Sequence, residues 1–150
     1  MKRPIWFYTA DLGNAIKEGI SSFGNPLVWW MGIPAFFYLA FRAVKYRDKS
    51  AIFLTIAYLA QLIWWIPVTR ITFIYHYFPC VPFIVMMIGY SLLCIYNEAK
   101  NKKAAMYAIF GYTALVIVLF VMFYPVLSGA PVSVDYVKHF LKLFESWVLI

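Results

Sequence analysis

Four long apolar runs, none containing an acidic residue, constrain the fold of this chain more than any other feature. They cover residues 26–44, 51–68, 81–96 and 104–127. A bilayer core about 30 Å thick requires roughly 20 residues of apolar helix, because a helix rises about 1.5 Å per residue. Hydrophobic residues make up 65% of the chain, well above the roughly 45–50% of an ordinary soluble domain. The sequence therefore predicts an all-α integral membrane protein with four transmembrane helices.

Proline and turn residues predict where the runs become regular helices. A Gly-Asn-Pro sequence at residues 24–26 opens the first run, where asparagine is a favoured helix cap and proline fits the first turn. The third run extends back to Phe73, but Pro79 and Pro82 interrupt its beginning, so that only residues 81–96 are predicted to form a regular helix. Because proline lacks the N–H that a helix interior uses, residues 70–80 are predicted to form an irregular entry to the third helix.

The C-terminal tail differs from the four runs. Six apolar residues recur at helical spacing, with charged residues between them: Val134, Val137, Phe140, Leu141, Phe144 and Val148. This pattern predicts an amphipathic helix on the membrane surface, with a helix packed on a partner domain as the alternative. The predicted organisation is an outer-face segment of residues 1–25, a membrane region of residues 26–127 and an outer-face tail of residues 128–150.

Basic residues predict the orientation of the chain. Seven of the 13 lie in two short stretches between apolar runs: Arg42, Lys45, Arg47, Lys49, Lys100, Lys102 and Lys103. Cytoplasmic loops carry such an excess of lysine and arginine, so both stretches are expected to face the cytoplasm. The chain would then be a multi-pass protein of the cell membrane with both termini on the outer face. Placement between apolar runs also argues against a nucleic-acid partner, which the net charge of +7 would otherwise suggest.

The positions of the reactive residues exclude several functional classes. All six acidic residues lie in loops or tails, so the predicted spans lack the carboxylates that proton relays use. Two histidines and two cysteines, each pair widely separated, offer no metal-ligand cluster, and no cofactor-binding motif is present. A small transporter is disfavoured because few polar residues would line a midplane path. We therefore assign no catalytic residue, no metal site and no cofactor.

One polar segment remains as a candidate site. Residues 67–82 join the second and third runs, and Arg70 is their single charged residue. The planar guanidinium of arginine binds phosphate through paired hydrogen bonds, and Tyr75, His76 and Tyr77 add neutral donors. The segment therefore predicts a site for a lipid phosphate or pyrophosphate headgroup at the outer membrane surface. The alternative is that these side chains only anchor and pack the helices at the interface.

An ordered set of short motifs resembles one family. The set comprises residues 3–8 and 24–30, then residues 67–70, 73–79 and Pro82, and finally Tyr124, Pro125, Gly129, Pro131 and Trp147. It is similar to the C-terminal membrane region of the protein O-mannosyltransferases, particularly the bacterial members that use polyprenyl-phosphate mannose. The similarity covers nearly the whole chain in the same order.

The resemblance implies a GT-C-type enzyme that moves mannose from a lipid phosphate carrier to serine or threonine of an exported protein. By the same analogy, Arg70, Tyr75, His76 and Tyr77 would hold the carrier phosphate or shape the acceptor cleft. The family places its paired acidic motif, with the residue taken as the catalytic base, in its N-terminal half, and this sequence has no counterpart. The chain is therefore expected to be the last four helices of a longer enzyme, dependent on an N-terminal catalytic half or a partner subunit.

A second interpretation belongs to a different functional class. The chain would then be a non-enzymatic membrane subunit or scaffold that stabilises a partner through its aromatic surfaces. An adjacent reading frame that supplies the acidic loop and seven further helices would favour the enzyme over the scaffold.

Overall fold

The computed structural model describes residues 5–11, 16–22, 24–64, 67 and 74–141, and most of them are helical. Within these described ranges, three helical spans are long and apolar enough to cross a membrane: Pro26–Lys45, Tyr77–Glu98 and Lys102–Ser128. The predicted helical membrane class is confirmed. A further apolar helix, Lys49–Ile63, has 15 residues, or about 22 Å at the usual rise. Residues 65, 66 and 68–73, which follow it, lie outside the described residues.

The part of the chain that the structure describes contains four main helices. Helix α1 spans Pro26–Lys45, α2 spans Lys49–Ile63, α3 spans Val81–Glu98 and α4 spans Lys102–Ser128. A 3₁₀ helix over Ile74–Cys80 leads directly into α3. Of the irregular entry predicted at residues 70–80, the structure describes residues 74–80. They form a 3₁₀ helix, which is more tightly wound than the α-helix that follows.

Polar side chains fix the starts of two helices. Asp48 accepts hydrogen bonds from the backbone N–H groups of Ser50 and Ala51 at 3.1 and 3.3 Å, and thereby caps α2. Asn101 accepts from the N–H of Ala104 at 3.1 Å, and thereby caps α4. The first turn of a helix leaves its N–H groups without intrahelical partners, and these side chains supply them.

The chain divides into two compact units, one of residues 26–114 and one of residues 1–25 and 115–150. The core of the first unit is built from α1, α2 and α3. Its buried apolar side chains are Ala35, Leu39, Ala51, Leu54, Ile84, Met87 and Ile88. These residues recur at helical spacing, so each helix presents one stripe to the other two.

Gly32 of α1 lies against Ile84 of α3 with no room for a side chain. A Cβ atom added at Gly32 would lie 2.6 Å from Cγ2 of Ile84, a distance that no side chain tolerates without movement. Ile84 is β-branched and buried, so it has little rotamer freedom to yield. Small residues at such contacts let membrane helices approach each other closely. The resulting van der Waals packing stabilises the helix pair, because lipid provides no hydrophobic driving force for their association.

The second unit contains a three-stranded antiparallel sheet that the sequence analysis does not predict. Strands β1 (Ile5–Asp11), β2 (Ile16–Ser22) and β3 (Val132–Ser133) lie in the order β1-β2-β3. The first two form a hairpin, and β2 pairs with β3 through Lys17 opposite Val132. The sheet therefore joins the segment before α1 to the segment after α4.

The beginning of the predicted C-terminal amphipathic helix is helical. Helix α5 covers Val134–Tyr136 and continues as a π-helical turn over Val137–Leu141. Val137 and Leu141 are buried in a cluster that includes Phe123 of α4. The apolar stripe of the tail thus packs on the chain itself up to residue 141. Residues 142–150 lie outside the described part, and the surface location of the tail stays a prediction.

Candidate functional site

Tyr77 holds the 3₁₀ helix against α1 and α2. Its hydroxyl lies 2.5 Å from the hydroxyl of Tyr58 in α2, and its ring centroid lies 5.3 Å from that of Trp29 in α1. Tyr58 in turn contacts Phe36 of α1 at a centroid distance of 5.4 Å. Ring pairs at these separations contribute roughly 0.5–1.5 kcal/mol beyond simple burial. Trp29, Tyr58 and Tyr77 form what we call the aromatic cluster.

The structure locates the four predicted binding residues to different degrees. Tyr77 is half-buried within the aromatic cluster. Tyr75 and His76 lie in the same 3₁₀ helix, which fixes the course of their backbone beside that cluster. Arg70 falls outside the described residues. Binding of a phosphate by these four residues therefore stays a prediction.

Tyr58 is a site residue that the sequence analysis does not single out. It lies within the apolar run of α2, and its hydroxyl pairs with the one predicted binding residue that the structure places in full. A phenol inside an apolar helix needs a hydrogen-bond partner, because an unpaired buried hydroxyl is costly. The sequence alone could therefore have predicted that the Tyr58 hydroxyl has a hydrogen-bond partner. It could not have predicted that the partner is Tyr77.

A second polar group of residues, which we call the arginine cluster, lies toward the other end of α1. Arg42 pairs with Asp48 at 3.4 Å between Nε and Oδ2, and with Glu98 through Nη1. Its Nη1 also donates to the hydroxyl of Tyr38 at 3.2 Å. The side chains of Arg42 and Asp48 are each only 15% exposed. One guanidinium thus holds carboxylates from the α1–α2 connection and from the end of α3.

Asp48 links three helices through one carboxylate. Besides its pairing with Arg42 of α1 and its capping of α2, it accepts a hydrogen bond from the Tyr90 hydroxyl of α3 at 2.8 Å. Charge-assisted hydrogen bonds of this kind are stronger than neutral ones. The arrangement is closed and structural, because the carboxylate is fully occupied by donors from the chain itself.

These donors set the acidity of Asp48. Burial raises the pKa of its carboxyl, but hydrogen bonds from Tyr90, the Ala51 N–H, Arg42 and the Ser50 N–H outweigh burial and lower the pKa below its ordinary value of 3.8. A group whose pKa is lower in the folded state stabilises the fold above its unfolded pKa. That stabilisation is lost as the pH falls through the folded value.

We therefore expect acid to weaken the α1–α2–α3 unit. The free energy of unfolding in mixed micelles should be nearly constant above about pH 5 and should fall below about pH 4. In an Asp48→Asn variant the decline over that acidic range should be shallower, because the amide takes up no proton. Asp135→Asn is the matched control, since that carboxylate is exposed and its removal should leave the slope of the wild type. Equal slopes for the wild type and Asp48→Asn would contradict the assigned role.

The two clusters differ in the chemistry that they permit. The aromatic cluster offers rings and phenolic hydroxyls, which bind a ligand by stacking and hydrogen bonding. The arginine cluster offers charges that already compensate one another. Within the described ranges no group of three His, Cys, Asp or Glu residues is arranged to hold a metal ion.

Comparison with known proteins identifies the region to which these features belong. A family model described as the C-terminal four TMM region of protein-O-mannosyltransferase matches residues 1–147. The polyprenol-phosphate-mannose–protein mannosyltransferase of Corynebacterium glutamicum is 24% identical over 97% of this chain. The proteins of the same name from Mycobacterium tuberculosis and Mycolicibacterium smegmatis are 29% and 28% identical over 73% of the chain.

The matched region is a minor part of each relative. It spans 30% of the Corynebacterium glutamicum protein and 22% of the two mycobacterial proteins. No solved structure matches the chain.

Proposed function

Because this chain belongs to the family of C-terminal four-transmembrane regions of protein O-mannosyltransferases, we propose that it is the C-terminal part of a membrane glycosyltransferase. The enzyme would move mannose from a polyprenyl-phosphate carrier to a serine or threonine of an exported protein. The family match over residues 1–147 carries this proposal. The names of the relatives support both the donor and the protein acceptor.

Within that enzyme, the chain would contribute the face that holds the carrier phosphate and borders the acceptor. Arg70 would bind the phosphate, with Tyr75, His76 and Tyr77 donating further hydrogen bonds. Two features support this role. The guanidinium of Arg70 is the one charge in the connection between the second and third apolar runs, and the aromatic cluster ties the adjoining 3₁₀ helix to α1 and α2.

The catalytic carboxylate would come from an N-terminal half or from a partner subunit. All six acidic residues of this chain lie outside its long apolar runs. Asp48 and Glu98 are engaged by Arg42, which leaves neither as a free base. The proposed location is the cell membrane, with the basic connections α1–α2 and α3–α4 in the cytoplasm and both termini outside.

Photolabelling tests the proposed carrier site. A polyprenyl phosphate bearing a diazirine next to its phosphate should label the peptide containing residues 70–77, and unlabelled polyprenyl-phosphate mannose should compete. Tyr77→Phe removes one hydroxyl and should reduce labelling there. Tyr107→Phe removes a hydroxyl from a side chain that is 70% exposed on α4, and labelling should not change. Labelling spread evenly over the lipid-exposed helices, without competition, would favour the scaffold over the enzyme.

A further inference from the structure

A groove runs along the first two turns of α2, on a surface that takes no part in either cluster. It has a volume of about 390 Å³ and is lined by Lys49, Ile52, Phe53, Ile56 and Ala57. That volume falls within the roughly 300–1,000 Å³ of small-molecule sites. The lining surface is almost entirely apolar, and Lys49 lies at one end of it. Such a groove suits an amphiphile with a hydrocarbon chain and an anionic head.

The charge at that end is not neutralised by the nearby acids. Asp48 and Glu98, the acidic residues of the two connections, both pair with Arg42. Among the described residues of this unit, the other basic residues near these connections have no salt bridge: Lys45, Arg47, Lys49, Lys100, Lys102 and Lys103. Lys49 therefore has no acidic partner among the described residues, and it lies within a surface that carries other basic side chains.

The length of the groove matches the acyl chain of a membrane lipid. From Lys49 to Ala57 the helix rises about 12 Å, which is somewhat less than the roughly 15 Å of hydrocarbon in one leaflet. The chain of a lipid in that leaflet fills such a groove while its phosphate reaches Lys49. We propose that the groove binds an acidic glycerophospholipid, with its phosphate at Lys49 and one acyl chain along residues 52–57. This site is separate from the proposed carrier site and does not depend on the mannosyltransferase assignment.

Native mass spectrometry of the chain in detergent tests this proposal. Phosphatidylglycerol should be retained more strongly than phosphatidylcholine with the same acyl chains. A single lysine near an anionic headgroup changes affinity by about five-fold, so Lys49→Gln should weaken phosphatidylglycerol binding by about that factor. Lys103→Gln removes the same charge from an exposed residue outside the groove, and it should change binding less than two-fold.

A second pair of variants tests the apolar part of the site. Ala57→Phe fills the groove and should weaken retention of both lipids, whereas Val118→Phe adds similar bulk to an exposed position on α4 and should have no effect. Equal retention of the two lipids, or no retained lipid, would overturn the proposal. Equal effects of Lys49→Gln and Lys103→Gln would also overturn it, because they would indicate a diffuse basic surface. The lysine pair decides the question even if Ala57→Phe fails to fold.

Discussion

Replacing Arg70 by alanine is expected to raise the KM for the polyprenyl-phosphate mannose donor by about 10- to 100-fold in a reconstituted full-length mannosyltransferase that carries this region. A hydrogen-bonded pair between a charged donor and phosphate is worth roughly 1.5–3 kcal/mol, and each 1.4 kcal/mol is about a factor of ten. Because the proposed contact exists before and during transfer, KM should change more than kcat. Initial rates at varied donor and saturating acceptor peptide measure this split.

Arg47→Ala is the matched control for this experiment. Arg47 is an exposed arginine in the connection between α1 and α2. It follows the C-terminal end of α1, whereas Trp29 lies near the N-terminal end, so its removal should leave the donor KM within about two-fold. If Arg70→Ala left the donor KM unchanged, Arg70 would have no part in phosphate binding. The family membership of the chain would be unaffected, because it rests on the sequence match.

Replacing Arg42 by leucine is expected to lower the free energy of unfolding in mixed micelles by about 3 kcal/mol. Removal of one member of a mostly buried ion pair leaves the other charge uncompensated, which costs roughly 3–5 kcal/mol in proteins. Here the side chain of Asp48 is 15% exposed and keeps its hydrogen bond from Tyr90, which places the expected value at the lower end. Circular dichroism during titration with a denaturing detergent measures the change.

Lys45→Leu provides the comparison for Arg42→Leu. Lys45 lies one turn further along α1, and its Nζ rests 5.0 Å from the ring centroid of Phe41. The described residues give it no carboxylate partner, so its removal should cost less than about 1 kcal/mol. Arg42→Lys should be intermediate, because an ammonium lacks the planar fork that reaches two carboxylates. Equal destabilisation by the two leucine variants would show that the ion pairs contribute little.

The sequence was sufficient to predict the helical membrane class because lipid imposes one simple requirement. A segment that crosses hydrocarbon must satisfy its own backbone, so long apolar runs become helices whatever their neighbours are. The runs beginning at residues 26 and 104 correspond to α1 and α4, and Pro82 lies where α3 begins. Helix ends were predictable to the extent that proline and short polar side chains act locally.

The sheet was not predictable from local pattern. Strand β1 and strand β2 are seven residues each, and β2 finds its second partner at Val132 and Ser133, beyond all four helices. Neither strand shows the clean alternation that marks a half-buried strand. The pairing of β2 with β3 depends on where the chain lies after α4. A short stretch of sequence carries no information about that position.

The site was predictable only in its residue types. One arginine among phenols and an imidazole predicts phosphate binding, and that prediction rests on the sequence alone. The partnership of Tyr77 with Tyr58 and Trp29 joins three separate elements, and so does the pairing of Arg42 with Glu98. Contacts across such sequence separations are chosen by helix packing, so the roles of Tyr58 and Arg42 become visible only in three dimensions.

The pairing of Lys17 with Val132 constrains how often the chain crosses the bilayer. Hydrogen-bonded strands lie on one side of the membrane, so the number of crossings between them must be even. Three crossings by α1, α3 and α4 alone would put the paired strands in different compartments. If α1, α3 and α4 each cross once, the paired strands require a fourth crossing, and the 15-residue helix α2 is the described element from which we expect it.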